Sequence, residues 1–228
     1  MTGDTLRSLR RPTRLALWRV PLMVLTLTGV ILGVAAGLAN AASAASTTSP
    51  ASSPVAPCAT RTLSTPFSRW GDDASYFLVP NGGFESGASD WTLQGGAAVT
   101  SGNEPWDVAG AGSHSLEIPP GSQAQSETMC VTLNEDSIRL FVDNQAVNGS
   151  ILHVEALVQN PQTGQVAQTA FDVNGNAVSA GWSPTMVLGI PDLLAGSGTQ
   201  NLTLIFTTRG TPATWKIDDV FVDPFISR

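Results

Sequence analysis

The chain reads as an all-β protein, an antiparallel β-sandwich or jelly roll, and three observations carry that reading. From Tyr76 onward it breaks into many short runs divided by Gly, Pro, Asn and Ser. Several runs alternate with a period of two, as Leu152, Val154, Ala156 and Val158 do on one face and Ile138, Leu140 and Val142 on another. Beyond the N-terminal region no long segment has helical periodicity. Short strands at this spacing, with marked turns between them, fold as sandwiches.

The N-terminus is of another kind. Arg7, Arg10, Arg11, Arg14 and Arg19 precede an uncharged, mostly apolar run over residues 20–39. Ala39-Asn40-Ala41 and Ala42-Ser43-Ala44 then fit a small-x-small cleavage pattern. Residues 1–41 therefore read as a signal peptide or an N-terminal membrane anchor, because about 20 apolar residues also span a bilayer. In either case the arginines stay cytoplasmic and the remainder lies outside the cytoplasm, secreted or on the cell surface. Membrane contact is expected only through residues 20–39, if the signal is not cleaved. Residues 42–57 hold Ser, Thr, Ala and Pro with no charge, too little apolar surface to offset ordering entropy. They read as a flexible tether.

Without residues 1–41 the chain keeps six basic and 17 acidic groups, a net charge of −11. Such a surface repels nucleic acid and anionic lipid, and excludes neither neutral glycans nor cations. Cys58 and Cys130 are the only cysteines, and an even pair in an exported chain is most simply a disulfide. It would tie the end of the tether to the strand around Met129-Cys130-Val131, with loop-closure stabilisation on the order of 4 kcal/mol.

Residues 58–75 form an irregular lead-in, with Phe67 and Trp70 expected across the outside of a sheet. Residues 76–228 are the sandwich domain. Strands are expected at Tyr76–Val79, Trp91–Gln94, Ala97–Thr100, Ser115–Ile118, Gln123–Leu133, Ile138–Asp143, Ile151–Gln159, Val166–Val173, Thr185–Leu188, Leu202–Thr207 and Trp215–Val222. Asn148-Gly149, Asn160-Pro161 and Asn174-Gly175-Asn176 mark turns. Pro191-Asp192-Leu193-Leu194 has the composition of one helical turn.

Two stretches stand out. Asn81-Gly82-Gly83-Phe84-Glu85-Ser86-Gly87 describes a tight bend, with glycines for positive φ, Phe84 as a core plug and Glu85 as a carboxylate at the turn. Trp215-Lys216-Ile217-Asp218-Asp219-Val220-Phe221-Val222 alternates like a strand and carries two adjacent acids. The pair reads as the opening and closing of one sandwich.

Together with Trp91, Ser113-His114-Ser115-Leu116 and Gly181-Trp182, these stretches resemble the pattern of galactose-binding-like jelly rolls. They are most similar to carbohydrate-binding modules of families 4, 9 and 22, over about Tyr76 to Pro224. Thr65–Tyr76 also resembles a lead-in of exported actinobacterial proteins. The resemblance implies a structural Ca²⁺ between the opening motif and the terminal strand, with Glu85, Asp218 and Asp219 as ligands. Adjacent acids on a strand point to opposite faces, so one should face the metal and the other solvent.

The resemblance also implies a glycan partner. Sugar sites stack rings on exposed aromatics flanked by amides and acids. Trp91, Trp182 and Trp215 are expected in the core. Trp106, in the polar loop Gly102–Asp107, and Tyr76 are the candidate platforms, with Gln125 and Asn144 as candidate hydrogen-bonding partners. Catalysis is not expected. His114 and His153 are the only histidines, and no helix follows His114 to build a nucleophile elbow. The expected function is an exported, non-catalytic binding module, glycan first. The alternative is a cell-surface structural or adhesive domain that contacts protein or envelope components.

Overall fold

The computed structural model describes residues 58–132, 135–191 and 198–223. The signal or anchor at 1–41, the tether at 42–57 and, past Pro191, the helical turn expected at Pro191–Leu194 lie outside these residues. Two antiparallel sheets face each other across one apolar core, which is the expected sandwich.

The first sheet contains β1 (Phe77–Leu78), β3 (Ala98–Ser101), β4 (His114–Ile118), β7 (Ser137–Asp143), β10 (Ser183–Pro184), β11 (Leu188–Gly189) and β13 (Trp215–Asp223). Its order is β10-β7-β13-β4-β3, with β1 beside β13 and β11 beside β7. The second contains β2 (Trp91–Gln94), β5 (Gln123–Ser126), β6 (Met129–Thr132), β8 (Ser150–Gln159), β9 (Val166–Asn174) and β12 (Thr199–Gly210). Its order is β2-β5-β12-β8-β9, with β6 beside β12. The expected strand Gln123–Leu133 is two strands, β5 and β6. Of the expected strand Thr185–Leu188 only Leu188 lies in a strand, β11, while Thr185 bonds Leu140 of β7 through both its N–H and its hydroxyl.

The alternating residues fill the core as their period requires. Ile138, Leu140 and Val142 of β7 and Leu116 and Ile118 of β4 meet Leu152, Val154, Ala156 and Val158 of β8 and Leu202, Leu204 and Phe206 of β12. Trp91 and Trp215 join this core as expected, whereas Trp182 lies half-buried in a different cluster.

That second cluster covers the outside of the first sheet. Phe67, Tyr76, Phe141 and Phe221 are buried there, with Trp70, Trp106 and Trp182 packed around them. Phe67 stacks on Phe141 at 5.4 Å between ring centres. The lead-in is held down by charge as well as apolar contact. Arg139 lies 4.1 Å from the Phe67 ring and 2.6 Å from Asp72, which also accepts the Tyr76 hydroxyl at 2.7 Å. Cys58 and Cys130 form a disulfide, and Arg61 donates beside it to the Cys130 carbonyl and to Glu135.

Candidate functional site

Strand alternation that buries one side of the six-stranded sheet presents the other side outward. Register places Gln94, Gln123, Thr207, His153 and Asp172 in one cross-strand row, and Thr92, Gln125, Ile205, Glu155 and Ala170 in the next. At the β2–β5–β12 side a groove of about 430 Å³ is walled by Gln94, Gln123, Thr207, Thr208 and Arg209, with Gly95, Gly121 and Ser122 at its end. Amides, hydroxyls and a guanidinium thus line one continuous strip. The Thr207 hydroxyl is covered and has no hydrogen-bond partner.

The β8–β9 side of this face carries an ion network. His153, with a side chain 9% exposed, meets Asp172 through Nδ1 at 2.6 Å and Glu155 through Nε2 at 3.0 Å. Glu155 also accepts from Gln168 at 2.9 Å and lies 3.5 Å from Arg209. Glu155 lies two residues from His153, on the same strand face. Asp172 becomes visible only through the pairing of β8 with β9.

Of Trp106, Tyr76, Gln125 and Asn144, only Gln125 lies on this face. The other three lie elsewhere. Tyr76 is 1% exposed, its ring enclosed by Phe67 and Phe221 and its hydroxyl committed to Asp72. Asn144 is 2% exposed at the end of β7, donating to Ser150 Oγ at 2.8 Å and accepting from the Ala146 N–H. Trp106 is half-buried on the opposite sheet, edge-on to Trp70 at 4.9 Å and 5.5 Å from Phe141. Its loop is polar, yet the apolar surface it fills is supplied by the lead-in, which sequence separation hides. No Trp, Tyr or Phe is among the outward residues of the six-stranded sheet that the registers define.

The opening turn and the terminal strand do meet. Positive φ falls on Asn81, Phe84 and Gly87, not on Gly82 or Gly83. Those two glycines serve close approach instead: a Cβ on Gly82 would come within 2.8 Å of the Val220 carbonyl, and one on Gly83 within 2.9 Å of Asp219 Oδ1. Phe84 is fully buried against Trp91, as its role as a plug requires.

The two acids of β13 are both buried, Asp218 completely and Asp219 to 3% exposure, so the expectation that one faces solvent is corrected. The reason is a β-bulge between Asp218 and Phe221, with Asp219 at φ 45°, which breaks the alternation. Asp218 Oδ2 accepts the Glu104 N–H and its Oδ1 the Asp219 N–H. Asp219 Oδ2 accepts the Ala109 N–H at 3.2 Å. Burial lifts the Asp218 pKa to about 8, with the Asp219 charge adding and the two N–H donors opposing. Burial likewise lifts Asp219 to about 7, against the Ala109 N–H and with the Glu104 charge adding. Glu104, 1% exposed and accepting from the Trp106 and Val108 amides, is the third acid of this junction. Sequence reading passed over it because its loop looked solvent-facing.

Glu85 and Asp219, with Asn103, share the walls of a pocket of about 140 Å³, which Asp218 does not line. Gly83 and Gly112 keep it open, since a Cβ on Gly112 would reach 3.0 Å from Glu85 Oε1. Among the described residues no group of three or more His, Cys, Asp or Glu side chains is placed to hold a metal ion. A calcium ion here would therefore take two carboxylates, Glu85 and Asp219, and complete its shell from Asn103 and backbone carbonyls. That oxygen-only donor set suits Ca²⁺.

Glu85 also grips the chain leading into β4. It accepts the Ser113 and His114 N–H groups at 2.7 Å each. Partial burial would raise its pKa, but these two amides, the His114 ring and the Ser113 hydroxyl outweigh it and hold the carboxyl at about 2. Ser113 Oγ, His114 and Glu85 superficially suggest a catalytic triad. Both Ser113 Oγ and Glu85 Oε2 lie at His114 Nδ1, however, at 2.9 and 3.2 Å. A relay needs nucleophile and carboxylate on opposite ring nitrogens.

No family model and no curated protein matches the chain. Among solved structures it is similar to TmCBM61 in complex with β-1,4-galactotriose, at 18% identity and TM-score 0.39, over 64% of this chain and 96% of that one. It is similar to the C-terminal family 22 carbohydrate binding module of Clostridium thermocellum Xyn10B, at 17% identity and TM-score 0.38, over 64% and 93%. A third likeness is to CBM28, a carbohydrate-binding module specific for non-crystalline cellulose, at 14% identity and TM-score 0.43, over 64% and 94%. The chain spans 27% of an arabinose-bound α-L-arabinofuranosidase chain, matched at 16% identity and TM-score 0.43 over 66% of this chain. The sandwich is established by its own sheets, independently of these likenesses.

Proposed function

We propose that the protein is an exported, non-catalytic carbohydrate-binding module that holds its sugar across the outward face of the six-stranded sheet. The observation that carries this is the set of amides of Gln94, Gln123 and Gln125 beside the groove at Arg209. Amides supply paired donors and acceptors of the kind sugar hydroxyls need, and a guanidinium adds strong donors. Affinity would come from hydrogen bonds rather than ring stacking. A structural Ca²⁺ held by Glu85 and Asp219 would fasten the opening turn to the terminal strand, outside the sugar site.

One observation favours a second reading. The face presents no aromatic ring, which suits a structural or adhesive domain whose partner is a protein or envelope component.

A polysaccharide pull-down and glycan array of the exported protein, with Gln123→Ala and Gln125→Ala alongside, separates the two. Retention on a polysaccharide that either substitution abolishes, without a change in melting temperature, supports the sugar reading. Silence across the array from folded protein overturns it in favour of the second.

A further inference from the structure

We infer that β9 is a dimerisation edge, at which two copies of the chain join antiparallel so that their six-stranded sheets become continuous. β9 is the terminal strand of its sheet and runs nine residues, Val166–Asn174. It pairs with β8 along its whole length without a register shift. Among the named elements of the described residues its substantial contacts are with β8 alone. The other terminal strands are short, four residues each in β2 and β3 and two in β10. Proteins blunt such edges by shortness, bulges, Pro or Lys, and β9 has none of these.

The strand's own residues identify the occupant as a second copy. Centring the pair on Ala170 is the register that keeps all nine residues matched. On the outward face it sets Val166 against Asn174, Gln168 against Asp172 and Ala170 against itself. Asp172 is the single ionisable side chain of the strand, so no like charges stand opposite one another. On the core side it sets Ala167 against Val173 and Thr169 against Phe171. Phe171 and Val173 already pack on the core but are only partly covered. A partner strand would complete their burial and carry the core across the two-fold axis. Both outward faces would then lie side by side, so that one long ligand could engage two copies with the gain of linked sites.

The test uses the full chain, purified in mild detergent, with a short bifunctional thiol reagent; the native cysteines are bridged to each other. Ala170→Cys should yield a covalent dimer. Gln168→Cys should not, because the two copies of that residue would lie about 13 Å apart along the strands. Ala170→Lys, which faces two ammonium groups at the axis, should remove the dimer seen by light scattering while leaving the melting temperature of the dilute monomer unchanged. A wild-type chain that stays monomeric across a concentration series overturns the inference. So does equal or absent linkage at the two cysteine positions, or a dimer that survives Ala170→Lys.

Discussion

The Asp219 carboxylate occupies the space a side chain on Gly83 would need, with Oδ1 2.9 Å from where that Cβ would lie. Next to it, Gly82 lies under the Val220 carbonyl, donates its N–H to the Val79 carbonyl and accepts the Val220 N–H. Backbone cannot yield as a side chain can. Gly82→Ala should therefore destabilise by about 1–3 kcal/mol, an overpacking cost. Gly83→Ala should cost less, because the Asp219 side chain can swing aside. Chemical denaturation of both variants checks the order; equal midpoints would remove close approach as the reason for these glycines.

If Glu85 and Asp219 hold Ca²⁺, chelator should lower the melting temperature of the wild type. Asp219→Asn should abolish that shift, and Asp218→Asn should leave it, since Asp218 does not line the pocket. The discriminating result is the difference between the two aspartates. A melt unaffected by chelator in the wild type takes the metal out of this junction.

The same junction sets a pH dependence in chelated protein. Asp218 and Asp219 have folded pKa values of about 8 and about 7, above the ordinary aspartate value. Groups raised in this way stabilise the fold fully below their unfolded pKa, and the contribution is lost as pH rises through the folded values. Stability should thus fall between about pH 4 and pH 8. Glu85, held at about 2, acts in the opposite sense, its contribution being lost only as pH falls toward that value. Thermal melts at pH 5 and pH 8 with chelator measure the first effect. A flat or rising profile would contradict the burial of the two acids.

What was legible in the sequence follows the range of each signal. Period-two alternation in β7 and β8 and the Asn-Gly turns are local, and they located the strands and core faces correctly. The meeting of Asn81–Gly87 with β13 was legible because both stretches carry strong composition. The bulge at Asp219 was not, because Asp218-Asp219 reads as regular alternation until the Val220–Gly82 contact is known. The packing of Trp106 and Tyr76 was not legible for a related reason. Their burial is made by Phe67 and Trp70 from an irregular lead-in, and no periodicity in either partner announces the contact.

Trp106 consequently gives a prediction opposite to that of a binding platform. Its ring is packed edge-on against Trp70 and lies over Phe141, while the candidate sugar face belongs to the other sheet. Trp106→Ala would open a void beside the lead-in. Because the ring is only half-buried, the loss should be about 1–3 kcal/mol, below the range for a fully enclosed Trp. Any polysaccharide retention shown by the wild type should persist in this variant below its lowered melting temperature. Gln123→Ala should do the reverse, since that side chain is only partly covered and lies at the groove. Melting curves and pull-downs on both variants decide it. Loss of binding in Trp106→Ala with an unchanged melt would move the site to the aromatic cluster on the first sheet.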